Sequence, residues 1–169
     1  MGYLHVYTGN GKGKTTAAFG LALRALGRGR RVFVGQFVKH EPTGEAIGLL
    51  RIEGADHAMF GSPRCVGEDM KESDRNAAAA GLAAARKIVA SGAYDLVVLD
   101  ELNVAVATNL LKIEDVLELA ASRGPDCELV ITGRYADQRL IESADLVTEM
   151  VDRKHYVRSG VYAREGIEF

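Results

Sequence analysis

One run of residues, Thr8-Gly9-Asn10-Gly11-Lys12-Gly13-Lys14-Thr15-Thr16, carries the chemistry most visible in this 169-residue chain. Glycines 9, 11 and 13 let the backbone turn tightly and bring its N–H groups close to phosphate oxygens. Lys14 would place a charge among those oxygens, and the Thr15 hydroxyl suits a Mg²⁺ ion. The phosphate-loop pattern G-x-x-x-x-G-K-[ST] asks for glycine where Thr8 stands, and Lys12 adds a second cation inside the loop. The expectation is a nucleoside triphosphate site.

A second constellation lies in mid-chain. The apolar run Tyr94-Asp95-Leu96-Val97-Val98-Leu99 closes on Asp100-Glu101, a carboxylate pair of the kind that faces a phosphate loop. One of the two would hold Mg²⁺, directly or through water, opposite Thr15. Thr132-Gly133-Arg134 ends the next apolar run in the same way, and Arg134 is open to two roles, a phosphate contact or a surface ion pair. Gln36 and Lys39 end another. Asp56-His57-Ala58-Met59-Phe60-Gly61 invites comparison with the cobalt-ligating D-x-H-x-x-G signature, but its spacing is wrong, and His57 reads as a loop histidine. His155, between Lys154 and Tyr156, is the better-placed histidine. No H-E-x-x-H, serine elbow or zinc spacing occurs, so hydrolysis by metal or nucleophile has no support.

These residues need a scaffold. Tyr3 to Tyr7 alternates as a strand, and Ala17 to Leu26 is helical, stopped by Gly27-Arg28-Gly29. Strand, glycine-rich turn, Gly-Lys-Thr and helix is the context the phosphate-loop pattern demands. Arg24, Arg28, Arg30 and Arg31 look like a phosphate patch, but read better as a solvated helix end favoured by the helix dipole. Val32 to Phe37 is a buried strand, Lys39 to Gly54 a loop, and Asp56 to Phe60 a short strand. Gly61 to Gly67 is a further loop, long enough to be a lid or binding loop. Ser73-Asp74 caps an alanine-rich helix, Arg75 to Ala90. Strand 94–99, helix 113–121, strand 127–132, helix 137–144 and strand 146–151 follow, and a weakly alternating tail from Lys154 to Phe169 turns at Gly160 and Gly166. Such alternation implies an α/β fold, a mainly parallel sheet with helices on both faces.

Length fits one domain over residues 1–169. Hydrophobic content of 47%, charged content of 26% and a net charge of −2 describe an ordinary water-soluble chain and give no basic field for nucleic acid. Cys65 and Cys127 are far apart and read as idle reduced thiols. No secretory h-region opens the sequence and no apolar run is long enough for a membrane span, so the expectation is cytoplasmic.

Taken together, the blocks resemble a family. Thr8 to Thr16, Gln36-Phe37-Val38-Lys39 with Gly44-Glu45, Val98-Leu99-Asp100-Glu101-Leu102, Ile131-Thr132-Gly133-Arg134, Ala144 to Met150, Lys154-His155 and Gly166-Ile167-Glu168-Phe169 are similar, in order, to the P-loop-type ATP:corrinoid adenosyltransferases. Thr8 and Lys12 are typical of that family's loop. The resemblance implies a P-loop NTPase fold of the RecA-like kind and a homodimer. It implies transfer of the 5′-deoxyadenosyl group of ATP to the Co(I) centre of a corrinoid, with triphosphate released. It also implies ATP bound in reverse of ordinary P-loop enzymes, and a flavodoxin-type reductant as partner.

By position, Gly9, Asn10, Gly11, Lys12, Gly13, Lys14, Thr15 and Thr16 would hold the triphosphate with Arg134, and Thr15 with Glu101 would hold Mg²⁺ or Mn²⁺. Cob(I)alamin is so strong a nucleophile that no general base is required, and no catalytic dyad is expected. Two departures touch the corrinoid side. Residues 60–67 lack the family's Gly-Phe-Thr-Trp segment, and the N-terminal arm of some members has no counterpart before the first strand. The rival readings are a P-loop small-molecule kinase or NTPase, with His155 or Asp100 as its base, and a non-enzymatic ATP-switched module.

Overall fold

The structure, a computed structural model, describes residues 1–62 and 71–168. Most of the loop expected at 61–67, with Cys65, lies outside the described residues, as does Phe169. In chain order the elements are β1 (Leu4–Thr8), α1 (Lys14–Leu26), β2 (Val32–Gln36), α2 (Gly44–Leu49), β3 (Ala55–Met59) and α3 (Glu72–Ala90). There follow β4 (Leu96–Asp100), α4 (Leu102–Ala107), α5 (Ile113–Ala121), β5 (Glu128–Thr132), α6 (Gln138–Ser143) and β6 (Leu146–Glu149), then a 3₁₀ turn at Tyr156–Ser159. The strands form one sheet in the order β3-β2-β4-β5-β1-β6, and every pairing is parallel.

Strands buried on both faces explain the continuous apolar runs: β2 and β4 are buried at every position. Side chains alternate between two cores. Val32, Val34, Leu96, Val98 and Val130 pack against Ala18, Phe19, Ala22 and Leu26 of α1 and Leu49 of α2. Phe33, Val97, Leu99, Leu129 and Ile131 pack against α3, α4, α5 and α6 through Leu82, Leu102, Val116 and Leu140. In α1 the buried residues fall three and four apart, as one face of a helix requires, and Gly27 caps its end. In α3 a Cβ at Gly81 would come within 2.4 Å of the Phe60 ring, so the glycine is what lets the helix settle onto the strand end.

Several boundaries differ from the sequence reading. The stretch 39–54 is not all loop: α2 occupies Gly44–Leu49, a single short segment whose two glycines and preceding Pro42 mask any periodicity. Lys71 is the N-cap of α3, and Asp74 sits three residues inside it, its carboxylate accepting the Lys71 backbone N–H at 2.8 Å. The strand expected to Val151 ends at Glu149, and among the described residues the tail forms a 3₁₀ turn and no strand. Leu102–Ala107, which carries no cap signal in the sequence, is helical. Cys127 is a buried free thiol, pushed up to about 11 by burial. Among the described residues no helix is long and apolar enough to cross a membrane.

Candidate nucleotide and metal site

The loop between β1 and α1 follows the course its glycines anticipate. Gly9 has φ +93°, and a Cβ there would lie 2.5 Å from the Met150 carbonyl oxygen, because the chain leaving β6 runs directly behind the loop. That segment is also bonded to it, Gly11 N–H donating to Met150 O at 2.6 Å. Gly13, at φ +117°, is the left-handed N-cap of α1, and no side chain caps the helix there. Its first-turn N–H groups therefore face the cleft and favour an anion.

Lys14 and Thr15 open α1. The Lys14 ammonium folds back over the loop, donating to the carbonyls of Gly9 at 2.8 Å and Gly11 at 2.7 Å. Burial pushes its pKa down, and the nearby Arg134 charge adds to this, against Glu101 and Asp100. A phosphate in the loop would supply the negative partner that position lacks.

Thr15 Oγ1 is 2.8 Å from Asp100 Oδ1. The sheet explains this meeting. Leu96 and Val98 face α1, so Asp100, two residues further, faces α1 as well and lies under its first turn. Asp100 is fully buried and accepts four hydrogen bonds: from Thr15 and from Thr132 Oγ1 at 2.7 Å on Oδ1, and from Gln36 Nε2 and Lys39 Nζ, each at 2.9 Å, on Oδ2. Burial alone would push its carboxyl up. The Lys39 charge and the hydrogen bonds from Thr132, Lys39 and Gln36 outweigh that and hold it below the usual carboxylate range. An ionised Asp100 can only accept, so Thr15 must donate to it, and toward the cleft the Thr15 oxygen has only lone pairs to offer. That is a metal ligand's requirement.

Glu101 is the contrasting acid. It stands at φ +59° as the N-cap of α4, and its backbone N–H donates to Thr132 Oγ1 at 3.1 Å. Burial first, then the Asp100 charge, push its carboxyl up, opposed by Lys39, Lys14 and Arg134. A nearby cation would relieve that penalty. Among the described residues no cluster of three or more His, Cys, Asp or Glu could hold a metal on its own. The donor set fits a Mg²⁺ ion of the kind that takes one or two protein oxygens and completes its shell with phosphate and water.

The cleft has a volume of about 690 Å³. Gly11 to Thr16 form its floor; Lys39, Glu101 and Arg134 line it from the ends of β2, β4 and β5, and Glu45 from α2. Gly9 and Asn10 open the same turn upstream. Among the described residues no carboxylate pairs with Arg134, so the surface ion pair left open by the sequence is not made there. His155 reaches the cleft, with Nδ1 accepting the Val157 N–H at 3.1 Å. The tail closes one side: Lys12 Nζ donates to Ile167 O at 3.1 Å and lies 3.6 Å from Glu168.

Sequence reasoning misplaced His57, which is on β3 and not in a loop. Its Nε2 is 3.0 Å from Gln36 Oε1. Gln36 and Lys39, which the sequence placed only at a strand end, both touch Asp100. Strand parity was the available signal, since Gln36 continues the α1-facing series Val32, Val34.

The whole chain, residues 1–169, matches the family described as ATP:corrinoid adenosyltransferase BtuR/CobO/CobP. The chain belongs to this family. Relatives named corrinoid adenosyltransferase include those of Escherichia coli (strain K12) and Salmonella typhimurium (strain LT2), each 38% identical over 99% of this chain and 86% of their own length. That of Pseudomonas aeruginosa is 39% identical over 99% of this chain and 84% of its own. Among solved structures, a DNA replication initiation factor matches over 88% of this chain and 40% of its own, at 12% identity and a TM-score of 0.44, too distant to carry an argument.

Proposed function

We propose that this chain transfers the 5′-deoxyadenosyl group of ATP to the Co(I) centre of a corrinoid and releases inorganic triphosphate. The observation that carries the reading is the convergence of Thr15 and Lys39 on the buried Asp100, beside a loop that Lys14 folds over, in a chain that belongs to the corrinoid adenosyltransferase family. The electron pair on Co(I) of the substrate forms the Co–C5′ bond, the C5′–O bond breaks, and the triphosphate leaves with the pair of the broken C5′–O bond. No proton moves, so no general base is required.

The work of the protein is positioning and charge. The loop N–H groups of residues 9–16, the ammonium groups of Lys12 and Lys14 and the guanidinium of Arg134 stabilise negative charge as it develops on the departing triphosphate. Thr15 and Glu101 would hold Mg²⁺ or Mn²⁺, and Asp100 would fix Thr15 with its lone pairs outward. When bound, the ion neutralises phosphate charge. Lys14, freed from the Gly9 and Gly11 carbonyls, would turn onto the phosphates.

The family supports three further parts of the reading: action as a homodimer, a flavodoxin-type donor that supplies Co(I), and a place in the cytoplasm. Sedimentation of the purified chain tests the first. The direction of the nucleotide tests the chemistry. In a structure with ATP and Mg²⁺, the triphosphate should lie along Gly9 to Thr16 with C5′ at the open side of the cleft. A terminal phosphate presented outward to an acceptor would contradict the reading and favour a P-loop kinase or NTPase.

A further inference from the structure

Four adjacent strands carry polar residues on one face of the sheet at its carboxyl end. Ala55 packs into the α1-side core, so His57, two residues on along β3, faces the same way as Gln36, Asp100 and Thr132. His57 lies opposite Val34 in register, two residues before Gln36, which brings its ring diagonally onto the Gln36 amide.

The hydrogen bonds along this row leave only one assignment. Asp100 Oδ2 is an acceptor, so the Gln36 group 2.9 Å from it must be the NH₂. The other end of the amide, Oε1, can only accept, so His57 Nε2, 3.0 Å away, must carry a hydrogen. Turning the Gln36 amide over would set its oxygen against a carboxylate oxygen and its NH₂ against the ring N–H.

We propose that His57 is a positioning residue: by donating Nε2–H to Gln36 it locks the amide that orients Asp100, and through Asp100 it holds Thr15 ready for the metal. The proposal rests on the metal-assisted reading of the site. Core packing does not ask for this pair. Gln36 is fully buried at the end of a strand whose other residues, Val32, Phe33, Val34 and Gly35, are all apolar. A buried amide is costly unless it is bonded, and this one spends its bonds on Asp100 and His57. The chain also bends for the same oxygen. Val38 is β-branched yet sits at φ +67°, and the turn it makes lets Lys39 reach the Oδ2 that Gln36 reaches. Burial, then the Lys39 charge, push the His57 pKa down, against Asp100, which keeps the ring neutral with Nδ1 unprotonated.

The test uses the corrinoid-free protein, alone or loaded with ATP, and Mn²⁺ as the probe. Histidine-¹⁵N spectra at neutral pH should show His57 protonated at Nε2 alone. His57→Leu should weaken Mn²⁺ binding to the ATP-loaded protein about tenfold or more, with metal-free ATP affinity unchanged. His57→Gln, which restores an N–H donor, should recover most of the loss. A ring protonated at Nδ1, unchanged Mn²⁺ affinity in His57→Leu, or equal losses in the Leu and Gln variants would overturn the proposal. Should His57→Leu fail to fold, Gln36→Glu decides: it must weaken Mn²⁺ binding at least as much, and wild-type affinity overturns it. A wild-type protein showing this His57 dependence but no adenosyl transfer would sink the functional reading alone.

Discussion

Thr15 and Asp100 lie 85 residues apart, and their side chains meet at 2.8 Å beneath the first turn of α1. The bond joins the two halves of the site, the loop that takes phosphate and the strand end that takes metal. Asp100→Asn should therefore damage both stability and metal response. At neutral pH it strips Lys39 of its charged partner, at a cost of about 2 kcal/mol, and the quarter-exposed Lys39 can turn outward to limit the loss. Because the folded-state carboxyl is held low, its stabilisation is complete above the unfolded value near ~3.9. It is lost as pH falls further through the folded value. Urea midpoints should thus differ most between wild type and variant at neutral pH and begin to converge only as pH falls below about 4.

Glu101→Gln should behave in the opposite sense. Its carboxyl is pushed up in the folded state, so it penalises the fold once pH rises above the unfolded value near ~4.3 and the group ionises. Removing the charge should leave metal-free stability at pH 8 unchanged or slightly raised, while the Mg²⁺ concentration for half-maximal turnover rises about 10–100-fold. Melting curves and a metal titration read the two effects separately. Wild-type metal dependence would hand the ligand role to Asp100.

Lys14→Ala should lower turnover by about 10²–10³-fold with an intact circular dichroism spectrum. The ammonium bonds only loop carbonyls, and burial already disfavours its charge. Full activity in a folded preparation would remove the loop lysine from the mechanism.

Gly9→Ala tests the backing of the loop by Met150. A Cβ would meet Met150 O at 2.5 Å and N at 2.8 Å, at a φ that side chains resist. A loss of about 1–3 kcal/mol together with weaker ATP binding is expected. Stability and ATP affinity equal to wild type would mean that the segment after β6 does not shape the loop.

What the sequence made legible was local. Strand, loop and α1 follow from adjacent residues, and Asp100-Glu101 announces itself at the end of an apolar run. The partners of Asp100 did not, because Gln36, Thr132 and Thr15 reach it only once β2, β4 and β5 lie side by side, and strand order is not written in any one segment. The short strand at Asp56 to Phe60 was legible and is β3, yet His57 within it was read as a loop histidine, because only the spacing of its motif was weighed and not the neighbour it meets across the sheet. The helices α2 and α4, at six residues each, are too short to show a period, and tertiary packing of Leu49 and Leu102 holds them.

The bond that breaks in ATP is the most direct test of the account. Incubating the protein with Mg²⁺, chemically reduced cob(I)alamin and ATP labelled in both adenosine and the terminal phosphate follows both halves of the molecule at once. The account predicts adenosine label in a light-sensitive corrinoid and the terminal phosphate in intact triphosphate, because attack at C5′ releases the whole chain of phosphates held by Gly9 to Thr16. ADP with an unmodified corrinoid, from a folded preparation, would contradict it.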